Sequence, residues 1–401
     1  MPRTGWRKPE SDRRLSDLVS VGVLTRVLAP DVVDAVIAEC GRTEQRRRSL
    51  PARSMAYFAM GMALHSDGSY EDVLALISDG LAWADRDEDS PRLANKAAIS
   101  HARDRLGAEP MENLFGRVAV PLAAEEAPGC WLAGRRLVAV DGTCLDLADT
   151  PANDAFFGRP GVAKGEKSAF PQARVVALAE CGTHAMFDAM IGPYTTSENA
   201  LTGDLLDRGL SAGMLCLADR GFYSFQAWQK AAKTGADLCW RVRDNLKLEP
   251  VEDLPDGSYL AEVFHSVKDR GRQHPVTVRV IEYTIKDGRD AAGPFRLITT
   301  IMDHTDASAV ELAGAYAQRW EIESAFDELK THQRGPRAVL RSKSPELVLQ
   351  EIWGHLCCHY AIRSLMLDAA LAAGRDPDRI SFVAALRISR RSIAQQGAFP
   401  P

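Results

Sequence analysis

Residues 316–332 read YAQRWEIESAFDELKTH. The stretch holds four carboxylates, an arginine, a lysine and a tyrosine. Such a segment is usually the solvated face of a helix, so its meaning depends on where each acid points. At about 100° per residue, Ile322, Ala325 and Leu329 share one face, which is expected to enter a core. Glu321, Ser324 and Glu328 fall on the opposite side and are expected to face solvent. Tyr316, Arg319, Glu323 and Lys330 form a polar stripe along the border of the apolar face, and Asp327 at its edge is the nearest rival to Glu323. The apolar period continues upstream, so residues 306–332 are predicted to form one long helix.

The core that this helix would enter is legible further upstream. RRLVAVDG (135–142) and GMLCLADRG (213–221) each contain a short continuous apolar run, the mark of a strand buried on both faces. ARVVALAE and HAMFDAMIGPY are further strands, with a turn at Cys181-Gly182-Thr183. ENALTGDLLDRGL and SFQAWQKAAKTGA read as helices, the second with Ser224 as its N-cap. The order β-β-β-α-β-α predicts a mixed α/β core. HPVTVRVIEYTI alternates cleanly between turn signals, so residues 241–294 are expected to be a β-rich insertion, and PFRLITTIMD a return to the core sheet. PELVLQEIWGHLCCHYAIRSLMLDAALAAG is a long, mostly apolar helix.

Residues 15–128 show helical spacing, with a break at Pro30. KAAISHARDRLG (96–107) presents Ser100, His101, Arg103 and Arg105. A short helix of this type, following another helix, suits a helix-turn-helix reader of DNA. An ordinary helical bundle with charged outer positions fits the same residues.

Two aspartates stand where sheet chemistry collects. Asp141 follows LVAV and precedes Gly142, and Asp219 follows LCLA and precedes Arg220-Gly221. Ligand and metal sites in α/β sheets gather outside strand carboxyl ends, although one such aspartate is more often a turn former. Asp146, Asp149 and Asp303 are weaker candidates, with Asp303 the first substitute. Lys164 and Lys167 lie in a Gly-rich loop and read as solvated lysines or as phosphate contacts.

The chain has 401 residues, 46% apolar and 26% charged, with a net charge of −5. That length predicts two or three domains. The negative total argues against a general nucleic-acid binder, but basic residues outnumber acidic ones in 1–54 and again in 331–401. The eight cysteines form no C-x-x-C pair and no zinc spacing. No apolar run reaches the roughly 18 to 20 residues that span a bilayer, and the N-terminus lacks a signal-peptide core. A cytoplasmic protein is expected.

The spacing Y-x2-R-x3-E-x6-K, carried by Tyr316, Arg319, Glu323 and Lys330, resembles the YREK signature of bacterial insertion-sequence transposases of the DDE type. The resemblance extends to VDGT around Asp141, to ADRGFYS around Asp219 and to RWEIE leading into and ending on Glu323. SVGVLTRVL and AAISHARDRLG resemble the helical N-terminal domain of one branch of that family. The resemblance implies a ribonuclease-H-like mixed-sheet catalytic core with a β-rich insertion, preceded by an all-α N-terminal domain. It places the DNA-binding helices in 1–128, the core in 129–240 and 295–375, the insertion in 241–294 and a tail in 376–401.

It also implies that Asp141, Asp219 and Glu323 bind metal and catalyse DNA cleavage and strand transfer at terminal inverted repeats. Two Mg2+ (or Mn2+) ions are the expected cofactors. Hard divalent ions prefer carboxylate oxygen, and two of them activate the attacking oxygen and stabilise the leaving one. Tyr316, Arg319, Lys330, Arg220, Arg103 and Arg105 are the implied DNA contacts. The implied partners are the inverted repeats, the target DNA and a second copy in a dimer, with the protein associated with the nucleoid when bound. Relatives that form hairpin ends use an aromatic to flip a base; Trp240, Tyr259, Phe264 and Tyr283 are available, with no choice among them.

Relatives usually continue past RISRRSIAQQ into a basic tail, whereas this chain stops at GAFPP, which raises the expectation of a truncated copy. Two other functions follow from that departure and from the fold. One is an idle DNA-binding relative that represses transposition. The other is a ribonuclease-H-like nuclease, for which the N-terminal helices and the insertion are superfluous.

Overall fold

Helices come first along the described chain: α1 (Val23–Val27), α2 (Pro30–Glu39), α3 (Ala52–Leu64), α4 (Tyr70–Ile77), α5 (Lys96–Leu106) and α6 (Glu109–Val118). Pro30 opens α2 at its first turn, where a missing N–H costs nothing. The computed structural model describes residues 23–46, 49–77, 94–124, 127–161, 168–265, 275–284, 294–335 and 339–394. Lys164, Lys167 and the last residues of the tail fall outside these.

Among the described residues, ten strands then build one sheet: β1 (Trp131–Leu132), β2 (Arg135–Asp146), β3 (Gln172–Glu180), β4 (Met186–Pro193), β5 (Met214–Ala218), β6 (Asp237–Arg241), β7 (Pro250–Asp253), β8 (Tyr259–Val263), β9 (Val276–Tyr283) and β10 (Phe295–Thr299). The order across it is β4-β3-β2-β5-β6-β10-β9-β8-β7, with β1 on β2. β2, β5 and β6 run parallel, and the flanking pairs are antiparallel. This is the mixed α/β core expected from the sequence. The strands of 241–294 are not a separate body: β9 pairs with β10 and carries β8 and β7 outward as an extension of the same sheet.

Alternation along β2 sorts its side chains between two cores. Val138 and Val140 face one, together with α8 (Glu198–Gly209) and α9 (Phe225–Ala232), where Trp228 of α9 meets Trp240 edge to face at 5.4 Å, whereas α7 (Pro151–Phe157) buries Phe157 in the other core. Ser224 caps α9 as its sequence predicts. Leu137 and Ala139 face the other core, which is continuous with the N-terminal helices. At its centre α3 lies against the 29-residue α12 (Pro345–Ala373). A side-chain carbon at Gly354 would sit 2.6 Å from the Ala59 carbonyl oxygen, so only glycine allows this approach. By length and composition α12 could span a bilayer, contrary to the sequence expectation, but 61% of its most apolar window is buried inside the protein.

The helix predicted over 306–332 is in fact three pieces. α10 (Ala309–Gln318) starts at a capping box formed by Ser308 and Glu311. A corner follows, where the Arg319 N–H bonds to the Tyr316 carbonyl and the Ile322 N–H to the Arg319 carbonyl. α11 (Trp320–Asp327) then passes into a π-helical turn, Glu328–Gln333. The wider π turn breaks the 100° period on which the helical-wheel assignment rested. After α12, α13 (Phe382–Ala394) folds back, and Arg390 donates to the Leu64 carbonyl at 2.5 Å.

Candidate active site

The parallel register of β2 and β5 runs from Arg136–Met214 to Val140–Ala218. One residue further places Asp141 beside Asp219. β5 ends there, but β2 does not: it stays paired with β3 through Asp146. Asp141 is therefore inside a strand rather than at its end, at the point where the parallel neighbour leaves. The Asp141 side chain is on the Leu137–Ala139 face, the one covered by α10 and α11. Its Oδ1 accepts the Gly142 N–H at 2.8 Å. Burial pushes the Asp141 carboxyl up to about 6; the Gly142 N–H and Arg319 pull it down, and Glu323 and Glu198 push it up.

The corner between α10 and α11 brings the remaining groups in. Arg319, only 9% exposed, donates to Glu323 Oε1 at 3.0 Å and holds Nη1 3.6 Å from Asp141 Oδ2. Tyr316, also buried, directs its hydroxyl to Asp219 Oδ1 at 3.4 Å and lies under the Arg319 guanidinium, 5.8 Å from the ring centroid. Lys330 donates to Thr143 Oγ1 at 3.0 Å, two residues along β2 from Asp141. The structure thus brings Asp141, Asp219, Glu323, Tyr316 and Arg319 together, with Lys330 at the rim. Arg220 is exposed and lines a shallow cleft with Arg243, Asp244 and Asn245.

One implied DNA contact is corrected, and the rival and weaker acid candidates have partners of their own. Arg103 is fully buried and donates to Gln350 Oε1, Tyr70 Oη, Ser342 Oγ and the Leu347 carbonyl, so it cannot reach DNA. Its neighbour Arg105 is exposed. Asp327 turns away to Thr331 and His332, and Asp303 is exposed and closes its own turn through Thr305. Asp146 accepts from Gln172, and Asp149 pairs with Arg159. Trp240 is a core residue.

Glu321 and Glu328 do not face solvent. Burial raises the Glu328 carboxyl, but hydrogen bonds from His184 and His359 and the charge of Arg363 outweigh it and hold Glu328 well below the usual carboxylate range. Glu321 accepts the Gly182 N–H. Burial pushes Glu321 up to about 7; the Gly182 N–H and His184 oppose this, and Asp378 adds to it. Among the described residues, ligand atoms of His184, Glu321 and Asp378 lie within 4.8 Å of one another. Arg363 Nη2, however, is 2.5 Å from His184 Nδ1. His184 Nε2 is 3.0 Å from Asp378, and His184 Nδ1 is 3.6 Å from Glu328. Arg363, His184, Glu328, Glu321 and Asp378 thus form one charged network.

One residue escaped the sequence reading. Trp320, 64% exposed, lines an open pocket with Glu323, Asp327, His332 and Phe382. A large aromatic directly after Arg319 was the available signal.

The family described as Transposase DDE domain matches residues 132–361, and that described as Insertion element 4 transposase N-terminal matches residues 18–116. The chain is 30% identical over 381 residues to the transposase InsG for insertion sequence element IS4 of Escherichia coli K12, covering 93% of this chain and 83% of that protein. It is 26% identical over 232 residues to the putative transposase InsZ of the same organism, covering 57% of this chain and 74% of that one. A cryo-EM structure of a piggyBac transposase synaptic complex with hairpin DNA resembles it at a TM-score of 0.47 and 12% identity, over 92% of this chain and 79% of that one. With two family matches end to end and a relative aligned along nearly its whole length, the chain belongs to the IS4-type DDE transposases of insertion sequences.

Proposed function

We propose that Asp141, Asp219 and Glu323 are the catalytic carboxylates of a cut-and-paste reaction at the terminal inverted repeats of an insertion sequence. The observation that carries this is their convergence on the Tyr316–Arg319 corner: Asp141 and Glu323 meet Arg319, and Asp219, beside Asp141 in the strand register, meets the Tyr316 hydroxyl. The DDE domain implies the use of a divalent metal. The donor set fits a hard cation, being entirely carboxylate oxygen. Two Mg2+ or Mn2+ ions held by these acids would polarise the scissile phosphate and activate the attacking oxygen.

The other residues position DNA. Arg319, Lys330 and Arg220 bind phosphates flanking the scissile bond; arginine grips them bidentately and lysine acts as a point charge. Tyr316 holds Asp219 in place. Exposed Trp320 offers a face on which an unstacked base can rest, at about 1–3 kcal/mol per stacked base. Attack of water on the phosphate breaks the bond at the element's end and frees a 3′-hydroxyl, which then attacks a target phosphate. Exposed Arg105 and the other N-terminal basic residues bind the repeat, and a dimer pairs the two ends on the nucleoid in the cytoplasm. The β-extension of 241–294 widens the sheet beside Asp219.

Purified protein incubated with Mg2+ or Mn2+ and DNA carrying its own terminal repeats tests this. Wild type should cut at the repeat ends, and Asp141→Asn, Asp219→Asn and Glu323→Gln should each lose at least about a thousandfold of that rate, the scale of losing preorganised charge stabilisation. Equal cutting by Asp141→Asn would sink the assignment.

A further inference from the structure

Every carboxylate of the proposed triad is already engaged by its own signature helix. Arg319 lies 3.0 Å from Glu323 and 3.6 Å from Asp141, and the Tyr316 hydroxyl reaches Asp219. Three acids gathered at one half-buried site repel one another, and a cation among them relieves that repulsion. In the protein by itself that cation is a guanidinium.

The hold on Arg319 differs from that on Arg103 and Arg279, two other buried arginines. Arg103 and Arg279 are fixed by backbone carbonyls: Leu347 for the first, Ile301, Asp303 and Ala307 for the second. Among the described residues, the hydrogen bond and ion pairs of Arg319 go to Glu323 and Asp141. Its backbone sits at the corner between α10 and α11. Glu323, its nearest partner, keeps a 35% exposed side chain, so the arginine has a short path to the surface.

We propose that Arg319 is a resident counter-cation which a DNA phosphate must draw off before the carboxylates hold a divalent ion tightly, so that metal binding is gated by the DNA end. The inference rests on the triad assignment above. A phosphate is the natural competitor for this arginine, because its oxygens match the guanidinium fork as well as a carboxylate does and carry more charge. Moving Arg319 onto DNA leaves Asp141 and Glu323 without a partner and raises their demand for a cation. The coupling is reciprocal, so the divalent ion must tighten DNA binding by the same factor. Such a gate keeps the protein from assembling a reactive centre away from its element's ends.

Mn2+ binding to the full chain, read by the EPR signal of the free ion, tests the gate without any reaction. The DNA is a duplex carrying the element's terminal repeat and ending in a 3′-dideoxynucleotide. Wild type should bind Mn2+ about tenfold more tightly with the duplex than without it, within the usual range of allosteric coupling. Arg319→Gln should bind Mn2+ about tenfold more tightly than wild type in the absence of DNA and gain little from the duplex. Asp141→Asn separates the two ideas. Loss of Mn2+ binding in Asp141→Asn, with no gain in Arg319→Gln, overturns the gate and leaves the triad standing. Unchanged Mn2+ binding in Asp141→Asn overturns the triad. Should Arg319→Gln fail to fold, the wild-type arm decides, since DNA-independent Mn2+ affinity overturns the gate.

Discussion

Arg363 donates through Nε to Glu328 Oε2 at 2.9 Å, beneath the π turn that follows Glu323. Both side chains are buried, and His359 Nε2 is 3.0 Å from the same oxygen. This pair anchors the end of the signature helix to α12 and so sets where Lys330 emerges. Removing one partner of a buried pair leaves an uncompensated charge, at about 3–5 kcal/mol. Arg363→Met is therefore expected to lower the unfolding free energy by about that amount, measured by urea denaturation at neutral pH. A loss below about 1 kcal/mol would show that the pair does not anchor the turn.

Glu321 supplies a pH signature. Its folded carboxyl titrates near 7, above an unfolded value of about 4.3. A carboxyl raised by folding penalises the native state once ionised. The penalty is fully present above pH 7 and is absent below about pH 4. Glu321→Gln keeps an acceptor for the Gly182 N–H without the charge. It should stabilise the protein by about 1–3 kcal/mol at pH 8 and by almost nothing at pH 4. Melting curves across that range in the presence of a chelator provide the check, and a stabilisation independent of pH would contradict it.

Gly354 tests the helical layer. Its added side-chain carbon would meet the Ala59 carbonyl oxygen at 2.6 Å, a backbone atom that cannot swing aside. Gly354→Ala should cost about 1–3 kcal/mol or more through overpacking, read as a lower melting temperature. No change in melting would mean that α3 and α12 can part freely.

Arg103 and Arg105 should behave oppositely. Arg103→Met strips donors from Gln350, Tyr70, Ser342 and the Leu347 carbonyl, each such loss costing about 1–3 kcal/mol. Arg105→Gln, on the surface, should change stability by less than about 0.5 kcal/mol. Its effect should appear in duplex binding, where the slope of affinity against salt falls by about one. Fluorescence anisotropy at several salt concentrations distinguishes them, and an unchanged slope in Arg105→Gln would remove it from the DNA surface.

The amino-acid sequence by itself determined the chemistry of this protein. Apolar runs at LVAV and LCLA write buried strands, and the aspartate after each, with the Tyr-Arg-Glu-Lys spacing, marks where acids meet; these signals survive because each is a local period of two or of about 3.6 residues. The tertiary structure alone decided which charges face which neighbours. Glu328 turns inward because Arg363, 35 residues away, waits there, and because a π turn interrupts the period that assigned it to solvent. Arg103 is buried because α12 and Ser342, more than 230 residues on, close over it. Asp141 lies inside its strand because β3 continues alongside where β5 stops. Burial and pairing are set by what packs across a gap in sequence, and no local period records that.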